Sequence, residues 1–228
     1  MDQRERHNTI QRLCGGVSHE LSNFMNALSL GRQLLEQQIE DEEAGRSLNQ
    51  LSHLQEQIDE LKQRLDLLGL PEPNRRQPVD LRETVPQIVA SLTERFDADL
   101  AGPDVDSDDP LTADVDVEAF RHLLSELVEN ASRQETGQPV RVSLEREDGS
   151  ARLSVHDDGP GLPDDLPGPP MDPFVTSDDE RLGLGLSIAG QIAAGHGGTL
   201  DVSSTSDGVT VTVALPCTDS SAPTHATG

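Results

Sequence analysis

Leu51, Leu54, Ile58, Leu61, Leu65 and Leu68 follow one another at steps of 3, 4, 3, 4 and 3 residues. That alternation keeps the apolar side chains on one seam of a helix, the a/d pattern of a coiled coil or helix bundle. Upstream, Ile10, Leu13, Val17, Leu21, Phe24, Leu28 and Leu35 fall in one stripe about 100° wide when successive residues are turned by about 100°. Residues 41–47, DEEAGRS, make the turn between the two helices. Two helices with such seams cannot bury both apolar faces within one chain, so the pattern predicts a dimer whose two hairpins form a four-helix bundle. A hairpin packed on a second domain of its own chain is the other arrangement the pattern allows.

After the hairpin the sequence changes character. PEPNRRQP, residues 71–78, contains three prolines and is expected to be a linker. Residues 81–96 and 117–133 have helical patterning, the second opened by Asp116 as an N-cap. The acidic stretch between them leaves room for one or two short strands. Residues 139–147 and 151–157 alternate apolar and polar around Glu147-Asp148-Gly149-Ser150, and residues 199–204 and 209–215 do so around Asp207-Gly208, which predicts two hairpins with a helix over 184–195 before the second. Helices and antiparallel hairpins in one segment predict an α+β layer, with helices on one face of a mixed sheet.

Charge and composition limit the partners. Acidic residues number 42 and cationic residues 17, a net charge of −25, and Lys62 is the only lysine. No basic footprint for a phosphate backbone exists, and with no Trp, no Tyr and four Phe there is no stacking platform for single strands, so nucleic acid is excluded as a partner. The acid excess over arginine is the composition expected of a chain adapted to high salt, where cations screen its self-repulsion. Cys14 and Cys217 show no metal or disulfide spacing, and no signal peptide or apolar run of about 18 residues is present, which predicts a cytoplasmic chain without membrane insertion.

Four short segments carry chemistry. Asp157-Asp158-Gly159-Pro160-Gly161 follows an expected strand, and Gly183-Leu184-Gly185-Leu186-Ser187 opens an expected helix. Glycines let a backbone approach a ligand closely, and a helix N-terminus offers unpaired N–H groups, so the pair suits a phosphate chain. Glu126 and Asn130 stand one turn apart in a helix; they form either a hard-oxygen site for Mg²⁺ or a stretch of solvated helix face. Asp172-Pro173-Phe174-Val175-Thr176-Ser177 is irregular and placed as a lid, or as a surface loop with one anchoring Phe. In the first helix His19 is turned about 200° from Val17, away from the apolar stripe, with Glu20 beside it and Asn23 one turn on.

Taken in order, these segments resemble the sensor histidine kinases of two-component signalling. Ser18-His19-Glu20-Leu21-Ser22-Asn23 is similar to the phosphoacceptor box in its HExxN form. Glu126, Asn130, Ala131 and Arg133 are similar to the N box, and Asp157, Gly159, Gly161 and Gly183, Gly185 to the two glycine boxes. Phe174 and Thr176 fall in a segment that resembles the phenylalanine box, and Gly195-His196-Gly197-Gly198 the turn after the last helix. The resemblance covers about residues 10–215. It implies a dimerisation and phosphotransfer hairpin over 1–70, a linker over 71–80, an α/β sandwich that binds ATP over 81–216 and a disordered tail over 217–228.

It also implies roles. Asp157 would bond the adenine amino group, Asn130 would ligate Mg²⁺ with Glu126 assisting, Arg133 would meet phosphate, and the backbone at Gly183 and Gly185 would cradle it. His19 would take the γ-phosphoryl group with Glu20 as base and pass it to the receiver domain of a response regulator, and Glu20 with Asn23 would position water for the reverse dephosphorylation. With no sensor before the hairpin, the input is expected from a separate sensory protein. Three positions depart from the family pattern: Phe24 stands where proline is common, Arg181-Leu182 replaces a glycine, and Asp178 and Asp179 stand in the lid where lysine is common. A histidine phosphotransferase that no longer binds ATP, and a dimeric scaffold or related ATPase, are the competing readings.

Overall fold

The structure is a computed structural model. It describes residues 75–96, 99–107, 109–133, 137–177 and 182–218, together with Val17, Leu21, Ser22, Met25, Asn26, Leu28, Ser29, Ser52, Gln55, Ile58 and Lys62. The chain divides into two compact units, Met1–Pro71 and Glu72–Gly228. In the first unit every described residue is helical, and Gln55 Nε2 donates to Ser29 Oγ at 3.2 Å. Met25 is buried while Val17, assigned above to the apolar stripe, is 48% exposed. Met25 lies one helical step beside Leu21 and Leu28, so the buried arc is turned toward it. His19, Glu20 and Asn23, and all seam residues but Ile58, lie outside the described residues.

The second unit has the expected α+β fold. Its elements are β1 (Gln77–Asp80), α1 (Leu81–Phe96), β2 (Leu100–Asp106), β3 (Thr112–Val115), α2 (Val117–Ser132), β4 (Val140–Glu147), β5 (Ser150–Asp157), α3 (Gly185–Gly195), β6 (Thr199–Thr205) and β7 (Gly208–Pro216). Five strands form a mixed sheet in the order β2-β4-β5-β7-β6, parallel only between β2 and β4. Alternate strand residues face the helices: Val140, Val142 and Leu144, Ala151, Leu153 and Val155, and Val211, Val213 and Leu215 are all buried. Against them α1 contributes Leu81, Val85, Ile88 and Leu92, α2 contributes Phe120, Leu123, Leu124, Leu127 and Val128, and α3 contributes Ile188, Ala189, Ile192 and Ala193. The opposite face carries Arg141, Ser143, Ser154, His156, Thr210 and Thr212, none of them buried.

Residues 77–80 correct the expectation of a linker reaching 80. They pair antiparallel with residues 112–115 in a separate two-stranded sheet. Pro78 is tolerated because that strand has a neighbour on one side only, and the partner lies too far along the chain to show in local patterning. Asp80 then starts α1: its Oδ1 accepts the N–H of Arg82 at 3.0 Å and that of Leu111 at 3.3 Å. The Arg82 guanidinium holds the Asp80 carboxyl below the usual carboxylate range.

Asp116 caps α2 as expected, accepting the N–H groups of Glu118 and Ala119. The end of α3 is a Schellman turn: Gly197, at φ +74°, donates to Ala194 O and Gly198 to Ala193 O, both at 2.9 Å. Among the described residues no helix is long and apolar enough to cross a membrane.

Candidate functional site

On β5 the buried positions run Ala151, Leu153, Val155 and then Asp157, so strand alternation carries a carboxylate onto the helix-covered face, where it is 8% exposed. Its Oδ1 accepts the N–H of Gly159 at 2.9 Å and of Val209 at 3.4 Å, which bends the chain into the glycine segment. That segment rests on the β6–β7 hairpin. A Cβ on Gly161, at φ +82°, would lie 2.2 Å from Thr205 O, and Leu162 N–H donates to Ser204 Oγ at 2.7 Å. From the other side, a Cβ on Gly208 would lie 1.8 Å from Asp157 O. No residue but glycine fits there, so β7 begins pressed against the backbone of Asp157.

Glu126 is 7% exposed, which removes the alternative of a solvated helix face. Burial of a carboxylate needs strong compensation. It lies with Asn130 against the first turn of α3: a Cβ on Gly185 would stand 2.8 Å from Glu126 Oε2 and 3.1 Å from Asn130 Nδ2. The glycine admits the two side chains to the start of that helix. The helix begins at Leu184 with no side-chain cap, whereas α2 has Asp116. Arg133, the C-cap of α2, pairs with Glu129 at 3.0 Å while its own side chain stays 55% exposed.

Phe174 and Gly183 are joined by a hydrogen bond from the N–H of Phe174 to the carbonyl of Gly183, 2.9 Å. A Cβ on Gly183, at φ +62°, would stand 2.6 Å from Val175 O, so the expected lid segment is strapped directly to the second glycine segment. Phe174 is 61% exposed and has φ +68°, a left-handed conformation costly for an aromatic residue. Thr176 follows, half-buried. Asp178, Asp179 and Arg181 lie outside the described residues.

The structure therefore brings Glu126, Asn130 and Gly185 together, and ties Phe174 to Gly183 and Gly159 to Asp157. Sequence reasoning missed Gly208 and Ser204, which support the Asp157 turn, and Arg141, His156 and Thr210, described below. For Asp157 itself the signal was in the alternation, since a carboxylate stands where the next core residue of β5 belongs.

Residues 115–219 match the family described as histidine kinase-, DNA gyrase B-, and HSP90-like ATPase. Over 95% of its length the chain is 29% identical to the sensory histidine kinase/phosphatase NtrB of Vibrio alginolyticus, of which it spans 65%. Residues 115–219 thus carry an ATPase domain of that family, within a chain similar over nearly all its length to a sensory histidine kinase. As a likeness of fold, the chain superposes on full-length ShkA in complex with AMPPNP with a TM-score of 0.73, covering 93% of this chain and 47% of that one at 22% identity. It also superposes on histidine kinase ThkA, solved in complex with the response regulator protein TrrA, with a TM-score of 0.61, covering 96% and 65% of the two chains at 20% identity. The chain thus spans less than two thirds of the curated relative's length. The family's ATPase domain coincides with the part of the chain that holds Glu126, Asn130, Asp157, Gly183 and Gly185.

Proposed function

We propose that the chain is an ATP-dependent protein histidine kinase that phosphorylates His19 and passes the phosphoryl group to an aspartate of a response regulator. The observation that carries this reading is the placement of Glu126 and Asn130 against Gly185 at the uncapped start of α3, in the same unit as the buried Asp157.

The donor set fits a magnesium nucleotide. Among the described residues no group of three His, Cys, Asp or Glu could hold a metal by itself. An ion held by Asn130 and Glu126 would therefore take its remaining ligands from phosphate oxygens and water, as Mg²⁺ commonly does. When bound, it supplies neutralisation of phosphate charge. The N-terminus of α3 suits the phosphates, Asp157 offers a carboxylate acceptor to the adenine amino group, and Phe174 with Thr176 belongs to the segment that closes over them.

In the reaction a ring nitrogen of His19 forms a bond to the γ-phosphorus while the bond from that phosphorus to the bridging oxygen breaks. ADP leaves, and the imidazole proton passes to Glu20. Positioning is the main contribution of the protein to such a transfer. The phosphoramidate then yields its phosphoryl group to a receiver-domain carboxylate. Glu20 and Asn23 are the groups that would orient water in a phosphatase reaction, and the hairpin seam supports a homodimer.

Incubation of the chain with γ-labelled ATP and Mg²⁺ tests the proposal. Acid-labile, alkali-stable label that is absent from His19→Gln and from Asn130→Ala is the expected result; label that persists in His19→Gln overturns the assignment.

A further inference from the structure

The uncovered face of the sheet holds a charged network at the end of β5 that carries Asp157. Arg141 on β4, His156 on β5 and Thr210 on β7 are cross-strand partners in one row. Both terminal nitrogens of Arg141 donate to Asp158, at 2.8 Å to Oδ2 and 2.7 Å to Oδ1. His156 Nε2 donates to the same Oδ1 at 3.2 Å, and its Nδ1 lies 2.8 Å from Thr210 Oγ1. The residues immediately before and after Asp157 are therefore each fastened by side chain to a neighbouring strand. The carboxylate between them points to the opposite face.

We propose that Arg141, Asp158, His156 and Thr210 form a clamp that positions Asp157 and thereby sets the preference of the site for adenine over other bases. The proposal rests on the reading of Asp157 as the acceptor of the adenine amino group. A two-pronged guanidinium–carboxylate pair fixes direction as well as distance, and direction is what a single carboxylate needs to tell an amino group from a carbonyl oxygen. The Arg141 side chain is 52% exposed. Exposed pairs add little to folding stability, so its effect is on the placement of Asp157. One row along the same face, Ser154 and Thr212 meet through hydroxyls alone at 3.1 Å, a contact that ties strands without fixing a turn.

The test is equilibrium titration of the full chain with ribose-labelled fluorescent ADP and GDP, with melting temperature measured beside it. Arg141→Ala and Asp158→Asn are each expected to weaken ADP binding by roughly tenfold or more, the scale on which misplaced binding groups act. GDP binding should change little, so the ADP preference narrows, while the melting temperature stays within about 2 °C. Arg141→Lys, which keeps the charge and loses the fork, is expected to fall between.

Asp157→Asn separates the two readings. If it binds ADP as the native chain does, the base-binding role of Asp157 fails and the clamp with it. If it loses ADP while Arg141→Ala binds normally, the clamp alone is overturned, as it is if ADP and GDP weaken in parallel. Should Arg141→Ala not fold, Thr210→Val, which removes only the anchor of His156, takes its place, and an unchanged ADP preference there overturns the proposal.

Discussion

His196 Nε2 accepts the backbone N–H of Asp116 at 2.9 Å. Its Nδ1 lies 2.7 Å from the carbonyl of Ile192 and, facing an acceptor, carries the ring proton. One buried imidazole thus joins the end of α3, which starts at Gly185, to the residue that caps α2, on which Glu126 and Asn130 stand. The two helices that build the candidate site are locked at their far ends by a group that works only when neutral.

Stability should therefore depend on this ring below neutral pH. Burial pushes the His196 pKa below the ordinary histidine value of 6.5, and it does the same to His122 on α2. The unfolded chain then binds protons that the folded chain resists. The contribution is present in full above 6.5 and is lost as pH falls through the lowered folded value. Melting curves between pH 8 and pH 5 should show a decline that is shallower in His196→Gln, with His122 supplying the remainder. At pH 8, His196→Ala should cost about 1–3 kcal/mol by leaving the Asp116 N–H without its acceptor. An identical decline in His196→Gln would show that another group titrates.

Two glycines two residues apart should respond differently to alanine. At Gly185 the new methyl would meet the ends of two side chains, Glu126 Oε2 and Asn130 Nδ2, and neither is backbone. Those groups can swing aside, and alanine is the better helix former. Gly185→Ala should melt within a few degrees of the native chain while magnesium-dependent nucleotide affinity falls by roughly 10–100-fold. At Gly183 the methyl would meet the carbonyl of Val175 from a backbone at φ +62°, so Gly183→Ala should lower the melting temperature itself. Equal melting losses in both variants would contradict this division.

What could be read in the sequence was whatever repeats at short range. The alternation of 139–147 and 151–157 gave β4 and β5, and Asp116 gave the start of α2, because period and cap are local properties. The pairing of β1 with β3 was not legible: Pro78 stands in a segment with three prolines, and its partner Asp114 contributes no local signal. Glu126 was legible as a carboxylate one turn before an amide, but its burial depends on Gly185, and only the folded chain puts them side by side. The same is true of Gly208 beneath Asp157. Its turn position follows from Asp207-Gly208, while the absence of room for a Cβ follows from a strand fifty residues upstream.

Phe174 offers a test of stored strain. It is exposed and left-handed, so its ring gains little from burial while its backbone carries a cost. Phe174→Gly should relieve that cost, and the greater freedom of glycine in the unfolded chain should offset most of the gain. The melting temperature is therefore expected to stay nearly constant while nucleotide closure, followed as the rate of His19 labelling, is lost. A clear drop in melting temperature would mean that the ring is packed.

Ionic strength should raise both stability and the rate of nucleotide capture. With 42 acidic residues against 17 cationic ones, the net charge repels itself, and ion pairs such as Arg82 with Asp80 and Arg141 with Asp158 cannot offset that sum. Raising KCl from about 0.1 M to about 1 M shortens the screening length from about 10 Å to about 3 Å, which weakens the repulsion more than it weakens contact pairs. The melting temperature should rise. A nucleotide is itself an anion and approaches a chain of net charge −25, so its association rate constant, measured by stopped-flow with fluorescent ADP, should increase with salt. That sign is opposite to an electrostatically steered encounter. An association rate that falls with KCl would mean that a local cationic field at the site outweighs the charge of the whole chain.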